Sequence, residues 1–70
     1  MQLQEYDSVE LSEPLEDSLP AGTQGAIVMV YEGADPAYEV EFVDEDGATI
    51  ALRTVKGSQL RLVQRADEAQ

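Results

Sequence analysis

The sequence predicts a small all-β domain, a five-stranded and partly open barrel. Three observations carry that expectation. Five short runs either alternate apolar with polar residues or are rich in β-branched ones, and Gly, Pro and acidic residues separate them; that is strand-and-turn punctuation. The segment between the third and fourth runs, "DEDGA", is too short to hold the helix that an OB-fold places there. The chain has 70 residues, 43% of them hydrophobic, which makes one domain with a modest core and excludes a wholly disordered chain.

Each element follows from its residues. Residues 1–5 read as a lead-in. "YDSVEL" (6–11) alternates, with Val9 and Leu11 on one face and Ser8 and Glu10 on the other. "SEPLEDSLPAGTQG" (12–25) is a long acidic loop whose apolar anchors, Leu15 and Leu19, are expected to dip into the core. A helical turn over Glu13–Leu19 is an option there, with Ser12 as its cap and Pro14 in its first turn. "AIVMVY" (26–31) is apolar on both faces and is expected at the sheet centre. "YEVEFV" (38–43) is the cleanest alternation, with Tyr38, Val40 and Phe42 inward and Glu39 and Glu41 outward. "TIALRTV" (49–55) is the fourth strand and "KGSQ" (56–59) a tight turn, with one turn of 3₁₀ helix as an option. "LRLV" (60–63) closes the barrel with Leu60 and Leu62 inward, and residues 65–70 form a polar tail expected to fray. A long loop after the first strand and a one-turn element before the fifth give the layout of an SH3-like barrel.

Composition excludes several functions. Fifteen acids against four bases leave a net charge of −11. Self-repulsion on that scale keeps a protein soluble and strains its compact state. A nucleic-acid binder needs cations to neutralise phosphates, and only Arg53, Lys56, Arg61 and Arg65 are available. There is no Cys and no His, so disulfides, thiolate metal sites and the commonest neutral-pH nucleophile and acid–base groups are missing. The serines have no evident base, and Glu39 and Glu41 lie two apart on an outer strand face. A barrel this small fills its interior with side chains. The expectation is a protein that is not an enzyme and carries no cofactor. No signal-like start and no apolar run of membrane-spanning length is present, so a cytoplasmic protein without membrane contact is expected.

"VDEDGATIAL" (43–52) poses the one question of metal chemistry. An EF-hand loop aligned on Gly47 puts Asp44 and Asp46 on ligand positions, but Phe42 falls on the first ligand and Arg53 on the closing glutamate. The pattern fails at both ends. Read as a turn, facing side chains must share a face. Pairing Phe42 with Ile50 and Val40 with Leu52 satisfies this and leaves Glu45, Asp46 and Gly47 as a three-residue loop with glycine at the left-handed position. The expectation is therefore a structural turn. The same register places Arg53 opposite Glu39.

Two surface features suggest partners. Tyr6, Tyr31 and Tyr38 are the aromatics of a potential peptide groove, but the chain has no Trp to complete one; Tyr38 reads as core and Tyr31 as cover for a hairpin edge. Met29 alternates with Val28 and Val30, so Ile27, Met29 and Tyr31 are predicted to form an apolar outer stripe. Cover by the acidic loop is the plain reading; a docking surface for a partner, or for a second copy in a weak homodimer, is the functional one.

The ordered combination "YDSVEL…LPAGTQGAIVMVYE…AYEVEFVDEDGATIALRTVKGSQLRLV" resembles, over residues 6–63, a family of small, mostly bacterial proteins known only as a domain of unknown function (family 4926). Ser8 replaces the usual second apolar residue of the family's opening. The resemblance implies an SH3-like barrel, brings no catalytic residues, and suggests an antitoxin- or immunity-like partner of a neighbouring gene product. The Gly25-centred stretch is also similar to KOW-type barrels of ribosomal and transcription proteins; those are basic, so their RNA binding does not carry over. Two functions are thus expected in order: a protein-interaction module for a basic partner, acting as a monomer or weak homodimer, and, as the alternative, an acidic mimic of nucleic acid that occupies a DNA- or RNA-binding protein.

Overall fold

The computed structural model describes residues 3–68. The first two residues of the lead-in and the last two of the tail lie outside them. Five strands, β1 (Ser8–Leu11), β2 (Gln24–Tyr31), β3 (Ala37–Val43), β4 (Thr49–Lys56) and β5 (Leu60–Gln64), form one antiparallel sheet in the order β4-β3-β2-β1-β5. β2, apolar on both faces, is central. The sheet does not close, so β4 and β5 each pair on one side only, and the fold is a small, partly open barrel. Single 3₁₀ turns occupy Gly57–Gln59 and Ala66–Glu68.

The inner face carries the core: Val9 and Leu11 of β1, Ile27 of β2, Tyr38, Val40 and Phe42 of β3, and Val55 of β4. Leu19 joins them from the β1–β2 loop, fully buried, with Leu15 partly buried beside it. The loop reaches the core without a helical turn. Leu15 and Leu19 instead close a tight reversal through Leu15 N donating to Leu19 O (3.0 Å) and Leu19 N to Glu16 O (2.9 Å). Gly25 sets how closely β2 and β3 approach: a Cβ there would lie 2.6 Å from the Glu41 carbonyl oxygen.

Three β-bulges interrupt the ladders. One extra residue reverses the in–out parity of everything beyond it. The extra residues are Val28 between β2 and β3, Ile50 between β4 and β3, and Val63 between β5 and β1. Those at Val28 and Ile50 change which side chains the barrel buries.

The two ends of the chain meet on Asp7, the buried charged residue of the described structure, with 1% of its surface exposed. Its Oδ2 accepts from Gln4 N (2.8 Å) and Arg65 Nη1 (3.0 Å), and its Oδ1 accepts from Ala66 N (3.0 Å). The segment after β5 was expected to fray. Residues 65 and 66 are instead fastened, because a buried carboxylate needs charge-assisted donors and these residues supply two of them.

Candidate interaction surface

The fourth strand, "TIALRTVK", has no clean alternation, and its pairing decides the outer surface. At the hairpin tip, Asp44 N donates to Ala48 O (2.9 Å) and Gly47 N to Asp44 O (3.0 Å), so Glu45, Asp46 and Gly47 are the loop residues. Gly47 sits at φ +85°, where a side chain is strained. Asp44 Oδ1 accepts from both Asp46 N (2.9 Å) and Ala48 N (3.0 Å) and rigidifies the turn. No group of three acidic side chains is gathered for a metal among the described residues.

Beyond the tip the expected register does not hold. The bulge at Ile50 pairs Phe42 with Ala51, Glu41 with Leu52, Val40 with Arg53, Glu39 with Thr54 and Tyr38 with Val55. Arg53 therefore does not face Glu39. Leu19 fills core space from the loop, and β4 delivers Val55 and half-buried Ala51 to the core. Arg53, on that same inner side but at the open edge, reaches out to Glu16 through Nε–Oε1 (2.9 Å) and Nη2–Oε2 (3.2 Å). Ile50 and Leu52 are left 48% and 52% exposed. Fully burying an aliphatic side chain of that size is worth about 1.5–3 kcal/mol, so leaving two of them out is a substantial departure from the pattern that the sequence alone favours.

The bulge at Val28 corrects the stripe expected on β2. Ile27 pairs with Val40 and is fully buried, whereas Met29 and Tyr31, past the bulge, are 48% and 45% exposed. Three consecutive outward positions do not exist there, because the extra residue turns the strand between Ile27 and Met29. The outer face of β2–β3–β4 thus presents Met29, Tyr31 and Leu52 around Glu39 and Glu41. Both glutamates are held in place by hydroxyl donors across the sheet: Thr54 Oγ1 to Glu39 Oε1 (2.6 Å), and Thr49 Oγ1 to Glu41 Oε2.

Charge surrounds these apolar residues. The four cations are each engaged with an acid: Arg53 with Glu16, Lys56 with Asp35 (3.1 Å), Arg61 with Glu10 (3.7 Å) and Arg65 with Asp7. Among the described residues, the net charge is therefore carried by acids outside these four ion pairs. The Arg53 guanidinium, donating to Glu16, holds that carboxyl below the ordinary glutamate range. Arg53 Nη1 also donates to Leu52 O (3.0 Å). An inward-side arginine, a bulge and Lys56 are the devices that keep an exposed strand edge from pairing with another chain, so the β4 edge is guarded while its side chains are not.

An open groove of about 630 Å³ runs between the β1–β2 loop and the β3–β4 hairpin. Pro20, Val43 and Ile50 supply its apolar lining, Thr23 its polar wall, and Asp44 and Glu45 its acidic side. A second depression of about 600 Å³, beside Leu3, Tyr6, Val30 and Glu32, is more polar.

Of the residues singled out from the sequence, Met29 and Tyr31 share the outer face and Ile27 does not. Ile50, Leu52 and Asp7 were missed. The mixed parity of β4, in which Ala51, Arg53 and Val55 alternate with Ile50 and Leu52, is the signal that could have found Ile50 and Leu52. Residues 5–62 match the family described as Domain of unknown function (DUF4926). The chain belongs to this family. No curated protein and no solved structure matches it. Among the described residues no helix is long and apolar enough to cross a membrane.

Proposed function

We propose that this chain is a small, non-enzymatic, cytoplasmic protein-interaction module that binds a basic protein partner. The observation that carries the proposal is the register of β4, which leaves Ile50 and Leu52 outside on a chain of net charge −11. A contiguous exposed apolar surface is the usual mark of an interface, and Met29 and Tyr31 add to the exposed apolar area of the β2–β3–β4 face. The uncompensated acids select a partner by charge and speed its encounter. Neutralisation of a neighbouring gene product, antitoxin- or immunity-like, is the form of this reading that the family resemblance suggests.

The test is capture from the source lysate at moderate salt, with wild type and the exposed-site variant Leu52→Lys as baits. A stoichiometric basic partner that wild type retains and Leu52→Lys loses is the expected result. Elution of that partner by added DNA supports the nucleic-acid mimic instead. A blank with a folded wild-type bait refutes the proposal.

A further inference from the structure

The groove between the β1–β2 loop and the β3–β4 hairpin has features that a merely solvated crevice does not need. Its apolar lining comes from three separate elements: Pro20 of the loop, Val43 of β3 and Ile50 of β4. Ile50 reaches it because of the β-bulge, a feature that re-aims a side chain at the cost of ladder pairing. Both walls are held by internal hydrogen bonds. Thr23 Oγ1 donates to Pro20 O (2.7 Å) on one side, and Asp44 Oδ1 accepts two turn amides on the other. A preformed groove binds with less ordering cost than one that must assemble. Glu45, at the acidic side, makes neither a side-chain hydrogen bond nor an ion pair among the described residues.

We infer that this groove receives an apolar side chain flanked by Arg or Lys, from an extended segment of the basic partner. The inference rests on the proposed function and names the site and the chemistry of what enters it. The apolar side chain packs on Pro20, Val43 and Ile50, and a flanking cation meets Glu45. A volume of about 630 Å³ is ample for a side chain with its adjacent backbone. A second copy of this chain is a poor occupant. It brings another net charge of −11, and its four cations are already engaged with its own acids. A metal ion finds one unengaged carboxylate at the groove's acidic side where it needs several oxygens.

The experiment titrates the ¹⁵N-labelled full chain with three blocked tripeptides: acetyl-Arg-Leu-Arg-amide, acetyl-Arg-Ser-Arg-amide and acetyl-Glu-Leu-Glu-amide. With Arg-Leu-Arg, saturable amide shifts are expected at Thr23, Gln24, Val43 and Glu45. Replacing Leu by Ser weakens binding about ten-fold, from the lost apolar burial. The acidic peptide produces no saturable shift. Glu45→Gln and Ile50→Ser, both at exposed positions, each weaken Arg-Leu-Arg by about three- to five-fold, the worth of one exposed contact. The inference is overturned by equal shifts from Arg-Leu-Arg and Arg-Ser-Arg spread over all acidic segments, by shifts confined to Met29, Tyr31 and Leu52, or by no saturable shift at millimolar peptide. Its failure is distinguishable from failure of the proposed function, since a captured partner lost by Leu52→Lys and kept by Ile50→Ser leaves the module reading intact and places the contact on the outer face.

Discussion

Asp7→Ala is the substitution that tests the architecture most severely. It removes a carboxylate that is 1% exposed and accepts three hydrogen bonds. Three donors lose their acceptor together: the amides of Gln4 and Ala66 and the Arg65 guanidinium, whose side chain is only 16% exposed. Breaking a buried ion pair by removing one partner costs about 3–5 kcal/mol, against a total of about 5–15 kcal/mol for a domain, with small domains at or below the low end. Asp7→Asn should cost less. With its remaining oxygen turned toward Gln4 N and Arg65, the amide group opposes only the Ala66 N–H, a single unsatisfied donor worth about 1–3 kcal/mol. Arg65→Met leaves Asp7 with its two backbone donors and should fall between the two. Urea unfolding followed by circular dichroism gives the three values, and the Asp7→Ala/Arg65→Met double variant should be less destabilised than the sum of the singles, because the pair is coupled. An Asp7→Ala cost below about 1 kcal/mol would refute the claim that this carboxylate fastens the two ends of the chain.

Three further outcomes are expected. Gly25→Ala places a methyl group 2.6 Å from the Glu41 carbonyl oxygen and 2.9 Å from Val40 Cγ1; overpacking against backbone costs about 1–3 kcal/mol, and an unchanged urea midpoint would contradict the close β2–β3 approach. Arg53→Ala should let the Glu16 carboxyl rise to its ordinary value, as followed by NMR titration of its side chain. Because Glu16 is held low in the folded chain, its contribution to stability is present above the unfolded-state pKa and is lost as pH falls through the folded one, so the variant should narrow its stability deficit in acid; since both side chains are well exposed, that deficit at neutral pH should be small. Added NaCl should raise the melting temperature between low and moderate ionic strength by screening the net charge of −11, and a fall would show that the ion pairs outweigh the self-repulsion.

Local pattern and the larger fold divide the explanation of this protein between them. Period-two alternation in "YEVEFV" places β3 and names its core residues, because a half-buried strand permits no other arrangement of those side chains, whereas β-branched content in "AIVMVY" places β2 without saying which of its side chains are buried. The glycine of "DEDGA" sets the hairpin loop, because a left-handed position excludes most other residues. The absence of His and Cys and the excess of acids, being composition, need no structure to narrow the chemistry. Pairing register beyond the hairpin tip is a different matter. It is fixed together with a core that Leu19 enters from the β1–β2 loop and to which β4 contributes Val55, and no local window of β4 contains that information. One inserted residue at Val28 buries Ile27, and one at Ile50 exposes Ile50 and Leu52, because parity in a strand is binary and a bulge inverts it. Asp7 likewise reads as one acid among fifteen in the sequence, and becomes the clasp of the chain ends only where the fold brings Gln4, Arg65 and Ala66 around it and excludes the water that would otherwise have solvated all four.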